Sequence, residues 1–310
     1  MATSTSLAAA AAHYNNPIVA GVAESVITVS PFYEFVPFVA IAGNTVTINR
    51  ENALGAAAFA AIDATLGGAA GYNAGLTTAA DTFALTSCIG QAEVDRFVSV
   101  TSASSGIDHM AIEVASKAKN IGQKWMEALV VDGASAPNPI GLPDQNLVEV
   151  SSGAAALSFA LMDSTLDAVV SKNGTVDWIM MNSGQLSAYK ALVRGTGGSY
   201  EYVTSPVTNR NILSYEGIPI FRNDYIGDVE ATNLATTGGS DTSVYAGNFD
   251  DGSMKTGLCM LYPVGTPAGI DVRALGESHS TNADITRVIQ YGTWCLANRK
   301  GAARLHSVTP

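Results

Sequence analysis

Lysine is missing from the first 116 residues, and no basic residue of either kind precedes Arg50. A secretory leader with a basic start is therefore not expected. Charge is scarce throughout. Asp, Glu, Lys and Arg make up 14% of the 310 residues, against about 25% in ordinary soluble domains. What charge there is leans acidic, 27 acids to 16 bases, for a net of −11. The acidic excess is five in residues 1–106 and seven in 132–243, while 107–131 balances and 244–310 has one extra base. Without a basic cluster to grip phosphates, the composition argues against a sequence-specific nucleic-acid reader. A wall that confines nucleic acid without gripping it is compatible.

Cysteine is also sparse. Cys88, Cys259 and Cys295 are odd in number and far apart, with no CxxC or Cys/His cluster. Neither a zinc site nor a disulfide framework is indicated, and a reducing compartment is the simplest fit. Long apolar runs are missing too. The stretch from Val26 to Ala42 is broken by Pro31, Glu34 and Pro37, too interrupted to cross a bilayer, so no membrane partner is expected.

Catalytic signatures are missing as well. No GxSxG elbow, GxxxxGK[ST] loop, HExxH or EF-hand loop occurs, and His13, His109, His279 and His306 stand alone in sequence. Asp250-Asp251-Gly252 reads as a solvated turn rather than a cation site. Gly195-Thr196-Gly197-Gly198 follows a helix instead of opening one, the wrong polarity for an anion cradle. No catalytic, cofactor or metal residue is assigned, and the protein is read as not an enzyme. A soluble hydrolase with a scattered site is the rival from another class, because triads can assemble from distant residues.

Nearly half the chain is apolar, 47%, which is enough for a core. The length suits two domains or one with extensions. The most informative segment is Glu93–Leu142. Ile107, Met110, Ala111, Val114, Ala118, Ile121, Trp125 and Leu129 recur at steps of three or four, one face of a helix over Ile107–Val131. Asp108, Glu113, Lys117, Asn120, Lys124 and Glu127 form the polar face, with Glu113→Lys117 in the favourable i,i+4 order. Ser105 with Asp108 resembles a capping box, and Gly133 is the stop. Such a helix spans roughly 37 Å, a beam in a chain without a recognisable active site.

The predicted fold class is α+β. Residues 1–42 read as an N-terminal arm, with a short helical Ala8–Ala12, a β-prone Val26–Val29 and a Pro-punctuated aromatic SPFYEFVPF that needs a partner. Residues 43–95 read as a long two-stranded ribbon: Thr45–Asn49 goes out and Thr82–Thr86, then Val94 and Phe97, comes back, around an Ala/Gly tract with Gly67, Gly68, Gly71 and Gly75. Residues 96–145 contain the long helix. Residues 146–243 contain a helix Ala155–Lys172 closed by Asn173-Gly174, a doubly buried strand Val176–Met181, a helix Gln185–Arg194, a meander through Tyr215–Phe221 and a polar loop Ala231–Thr242. Residues 244–310 are mostly strands, with Ile285–Ala297 longer than usual.

The order of these parts resembles the tailed-bacteriophage major capsid protein family, with the Hong Kong ninety-seven fold. GNTVTINRENAL is similar to the start of that family's extended loop and GQAEVDRFV to its exit. The helix ending in ALVVDG resembles the spine helix, and PNPIGL the turn into the axial domain, with Ile140 where the family often has an aromatic. VDWIMMNSGQLSAYKAL, LSYEGIPIFRNDYI and TRVIQYGTWCLANRKGAARL resemble the axial strand and helix, the Gly-x-Pro strand and the closing peripheral strands. The resemblance covers residues 30–308 and makes 96–145 peripheral, 146–243 axial and 244–310 shared between them.

The resemblance implies a shell subunit built into hexamers and pentamers around double-stranded DNA, assembled in the host cytoplasm and found in the virion. A portal and a separate scaffold protein are implied partners, since starting the ribbon near Gly43 leaves no room for a long N-terminal scaffold. Assembly contacts are expected at Phe32, Tyr33, Phe35, Arg50, Glu51, Gly67, Gly68, Gly71, Tyr72, Glu93 and Arg96. Without a lysine in 43–95, the loop crosslink of some relatives cannot form. A bacterial nanocompartment shell with the same fold is the alternative.

Overall fold

The computed structural model describes residues 30–53, 77–102, 108–131, 137–145, 147–170, 175–205, 209–227, 242–279 and 281–309. In chain order its first elements are α1 (Phe32–Phe35), β1 (Phe38–Ile41), β2 (Thr45–Ala53), β3 (Thr77–Ala84), β4 (Thr86–Asp95), α2 (Arg96–Ser102) and α3 (His109–Val130). There follow β5 (Val148–Ser151), α4 (Phe159–Val170), β6 (Trp178–Met181), α5 (Ser183–Gly195), β7 (Glu201–Thr204), β8 (Asn211–Tyr215) and β9 (Ile218–Arg222). The chain closes with β10 (Thr242–Gly247), β11 (Leu258–Pro263), β12 (Ile270–Glu277), β13 (Ala283–Leu296) and β14 (Ala302–Val308).

Helix α3 forms where the periodicity predicts it. Val114, Ala118, Ile121, Trp125 and Leu129 are buried, and Gly122, Met126 and Val130 widen the stripe, whereas Ala111 is exposed. The helix starts at His109 because Asp108 itself is the cap: in extended conformation, its carboxylate accepts the Ala111 N–H at 3.1 Å. Ser105 and Gly133 lie outside the described residues. At the far end, Leu142 N–H donates to Leu129 O at 2.7 Å. Gly141 is needed there, since a Cβ would sit 2.2 Å from Val131 O.

The helix lies across a five-stranded sheet organised around β13. Residues 284–290 of β13 are flanked by β4 on one edge and β12 on the other. Its last four residues pair with β11, which takes β1 in parallel on its other side. The unusual length of β13 therefore comes from serving several partners in succession. Close approach of α3 relies on small residues: a Cβ on Gly90 would meet Lys117 Cβ at 3.0 Å. Trp294 of β13 donates its indole N–H to Trp125 O at 2.9 Å.

The second sheet has seven strands in the order β5-β14-β10-β6-β9-β8-β7. Every residue of β6 is buried, as its continuous apolar run predicts. Ile179 and Met181 enter a core with Met162 and Leu166 of α4 and Tyr189 and Val193 of α5. Trp178 and Met180 enter the larger core that holds the α3 stripe. Helix α4 begins at Phe159 rather than Ala155, because Gly153 and Ala154 take positive φ (64° and 61°) and turn the chain out of helix. Helix α5 is capped by Asn182, whose amide oxygen accepts Gln185 N–H at 2.8 Å. The β8–β9 turn places Glu216 and Gly217 at φ 51° and 78°, the double positive φ of a type I′ hairpin.

Two sequence expectations change. The expected arm, residues 1–42, is not an arm over its described part. Phe32 and Tyr33 are 0% exposed. Phe32 packs edge-on against Trp178 and Phe221, with centroids 5.8 and 5.2 Å apart. Glu34 is buried and accepts a hydrogen bond from Ser205. The aromatic run finds its partner within its own chain. The expected ribbon, 43–95, is shorter: it closes at Ala84, and β4 then joins β13 over ten register pairs from Thr86↔Gly292 to Asp95↔Ala283. Val94, expected on the ribbon, is buried in the body, and Phe97 falls on α2.

The packing of α3 sets a contrast between two substitutions on one helix. Trp125→Glu puts a carboxylate into a site 2% exposed and is expected to abolish soluble folded protein. Ile112→Glu, at a position 58% exposed, is expected to leave the circular-dichroism melt within a few degrees of the parent. A normal melt for Trp125→Glu would show that the helix faces the other way.

Candidate assembly surfaces

Among the described residues, strands β2 and β3 pair only with each other, from Thr45↔Ala84 to Ala53↔Thr77. At the root of this ribbon the alternation is clear. Phe83 is buried and Val46 and Ile48 half-buried, packed on a small core of Ile41, Cys259, Leu261 and Cys295. Thr45, Thr47, Asn49, Ala80, Thr82 and Ala84 face outward and are exposed. On that face the Thr47 and Thr82 hydroxyls lie 3.2 Å apart, a cross-strand hydrogen bond. Leu85 N–H to Asn44 O, 2.9 Å, closes the root.

One ion pair ties the ribbon to the body. A single Arg299 Nη donates to both carboxylate oxygens of Asp81, at 2.8 and 2.9 Å, and both side chains are about a quarter exposed. Arg299 is aimed by a tight turn in which Asn298 Oδ1 accepts Lys300 N–H at 3.0 Å. These partners are 218 residues apart, and no local pattern in the sequence marks either one.

The second surface is α2. All its residues from Arg96 to Thr101 are exposed, including Phe97 at 71% and Val100 at 67%. It packs against β4 and α3, and Ile112 in the first turn of α3 is also exposed. Covering Phe97 or Val100 fully would contribute about 1.5–3 kcal/mol each. The sequence signal is the run Phe97-Val98-Ser99-Val100, of which the ribbon reading used Phe97 alone.

The residues expected to make contacts are distributed unevenly. Phe32 and Tyr33 are sealed inside the subunit and offer a neighbour nothing. Phe35 is half-buried against Phe221, centroids 5.3 Å apart. Arg50 and Glu51 lie on β2 opposite Ala79 and Thr78. Glu93 and Arg96 each find a partner at one corner of the five-stranded sheet: Thr281 Oγ1 donates to Glu93 Oε1 at 2.8 Å, and Arg96 pairs with Glu277 at 3.5 Å. Both side chains remain exposed. Gly67, Gly68, Gly71 and Tyr72 lie outside the described residues.

Elsewhere the polar groups are arranged for structure. Asp250 is 3% exposed and accepts backbone N–H bonds from Gly252, Met254, Lys255 and Thr256 at 2.8–3.0 Å. Its buried carboxylate organises a turn whose Asp251, Ser253 and Lys255 are exposed, so the expected solvated turn holds for all but Asp250 itself. Gly197, at φ 70°, terminates α5. A cavity of about 330 Å³ between α3 and the start of β4 contains Cys88, Lys124 and Glu127. There burial pushes the Cys88 thiol upward in pKa, and Lys124 is held by Glu127 at 2.7 Å. Among the described residues, no three His, Cys, Asp or Glu side chains converge as a metal site, and no helix is long and apolar enough to cross a membrane.

No protein-family model matches this chain, and no curated protein matches it by sequence. Solved structures do. The SrpI encapsulin of Synechococcus elongatus superposes with a TM-score of 0.65 at 13% identity, over 90% of this chain and 87% of that one. The capsid of an empty GTA particle gives 0.57 at 15%, covering 91% and 90%. A structure from Mycobacterium phage Ogopogo gives 0.57 at 11%, covering 91% of each chain. With the long helix across one sheet, a second sheet beside it and a detached two-stranded ribbon, the chain has the Hong Kong ninety-seven-like fold of phage capsids and encapsulins.

Proposed function

We propose that this chain is a major capsid protein that assembles as hexamers and pentamers into an icosahedral shell around double-stranded DNA. The observation that carries this reading is the β2–β3 ribbon, a sheet without a third strand among the described residues. Two strands alone are marginal in water. Among the described side chains the outward face of this ribbon, Thr45, Thr47, Asn49, Ala80, Thr82 and Ala84, is exposed, and a second copy of the chain supplies a surface to cover it. The exposed apolar helix α2 is a second place for a neighbour. In this reading the five-stranded sheet with α3 is the peripheral domain and the seven-stranded sheet the axial domain. A portal and a separate scaffold protein are the proposed partners, the virion is the site, and the role is structural rather than enzymatic.

The charge is consistent with a container. A net of −11 per copy neither grips DNA nor favours crowding, so apolar contact must overcome mutual repulsion. Salt screens that repulsion over roughly 10 Å at 0.1 M. A nanocompartment shell that encloses protein cargo is the second reading, favoured by the higher TM-score to the encapsulin, 0.65 against 0.57.

Negative-stain microscopy of the purified chain is expected to show closed shells, more of them at 0.5 M than at 0.05 M sodium chloride. Only small oligomers at every salt concentration would overturn the shell reading. Nuclease-protected double-stranded DNA inside particles from the native source supports the capsid, and stoichiometric protein cargo supports the nanocompartment instead. Boiled, reduced particles should run as a single monomer band. Phe97→Glu is expected to cut particle yield at least several-fold while leaving the monomer melt unchanged. An unaltered yield would remove α2 from the interface.

A further inference from the structure

The sequence spacing of the three cysteines gave no reason to pair any of them, but the fold places two face to face. Cys259 on β11 and Cys295 on β13 are direct register partners. The Ala297 N–H to Gly257 O bond, 2.9 Å, marks the adjoining 257/297 pair as hydrogen-bonded. Two residues along, 259/295 is therefore hydrogen-bonded too, and such pairs hold their Cα atoms about 5.5 Å apart with side chains on the same face. That separation lies within the roughly 4.4–6.8 Å that the Cα atoms of a disulfide span, and closing the bond draws the Cβ atoms in from about 5.5 Å, usual for such a pair, to about 4.5 Å or less. Both residues are 0% exposed. They share one cluster with Phe83, Val46 and Ile48, the inward face of the ribbon root. Cys88, the third thiol, belongs to the other side of the molecule's core, beside α3.

We propose that Cys259 and Cys295 form a latent dithiol site that a low-molecular-weight disulfide converts into an intrachain disulfide, with the ribbon root as its cover. The exchange has two steps. One protein thiolate attacks the oxidant's S–S bond, forming a mixed disulfide and releasing one small thiol. The second protein thiolate attacks the mixed disulfide, forming the Cys259–Cys295 bond and releasing the second small thiol. The protein's two thiol protons end on the two small thiols; the protein pair is oxidised and the oxidant reduced. Hydrogen bonding to Cys295 and burial together hold the Cys259 thiol well above its usual pKa. It therefore stays protonated and inert until the ribbon root lifts and water enters. The closed crosslink would join β11 to the end of β13 and constrain the unfolded chain. This inference does not depend on the shell reading, since it concerns bonding within one subunit.

The test uses the full chain with oxidised glutathione, followed by peptide mapping without reduction and thiol counting with a maleimide. The expected result is a Cys259–Cys295 peptide pair, with two thiols lost per chain while Cys88 stays free. The melting temperature should rise by several degrees and return with dithiothreitol. Phe83→Ala should speed the loss of the two thiols at least five-fold, and Cys88→Ser should leave it unchanged. The proposal is overturned if oxidation yields only Cys88-linked products, or if no Cys259–Cys295 pair forms even in Phe83→Ala. Equal oxidation rates in the parent and Phe83→Ala would show that the ribbon root is not the cover.

Discussion

The rest of the structure depends on how α3 is held. Two aromatic donors bond to its backbone from opposite ends of the sequence: Tyr33 to Gly122 O and Trp294 to Trp125 O. A helix carbonyl has a second lone pair, so it can accept these bonds without giving up its own helical partner. Burial raises the Tyr33 phenol well above its ordinary pKa, which keeps it a donor across the working pH range. The helix is thus fixed in rotation about its axis as well as in position. Both sheets take their placement from it: β4, β11 and β13 lie beneath its stripe, and β6 reaches the same core through Trp178 and Met180.

Close packing of this kind needs backbone where side chains would collide. Gly90, Gly141 and Gly292 are among the places where helix, loop and sheet approach closely; a Cβ on Gly292 would lie 2.7 Å from Met260 Cε. The richness in small residues that gives the sequence its bland appearance is partly this. Small residues make the contact surfaces flat enough for a long helix to rest on a sheet.

What the sequence made legible was local. Helix α3 could be read because its apolar residues recur on one face, and β6 because a short continuous apolar run must be covered twice. Even so, Asp108 was placed inside the helix when its side chain serves as the cap, since one residue type suits both positions. Partners chosen over long distances were not legible. β4 alternates just as a ribbon strand would, and only its pairing with β13, some 190 residues later, shows that it belongs to the body. Phe32 and Tyr33 look like surface in search of a neighbour, and hydrophobicity does not say which molecule provides it. The Asp81–Arg299 tie and the Cys259–Cys295 pair are invisible for the same reason: each is a meeting set by topology, with nothing in the flanking residues to announce it.

The Asp81–Arg299 tie lies near the base of a slender element. Asp81 stands opposite Ile48, and the five residues of β2 beyond it, to Ala53, extend about 17 Å, so a tilt of about 10° about that point would sweep Ala53 through roughly 3 Å. Geometrically the ribbon is a lever arm that passes one arginine close to its foot. Whatever sets the angle there, by fractions of an ångström in the guanidinium–carboxylate contact, is multiplied at the far end into displacements as large as a whole side chain.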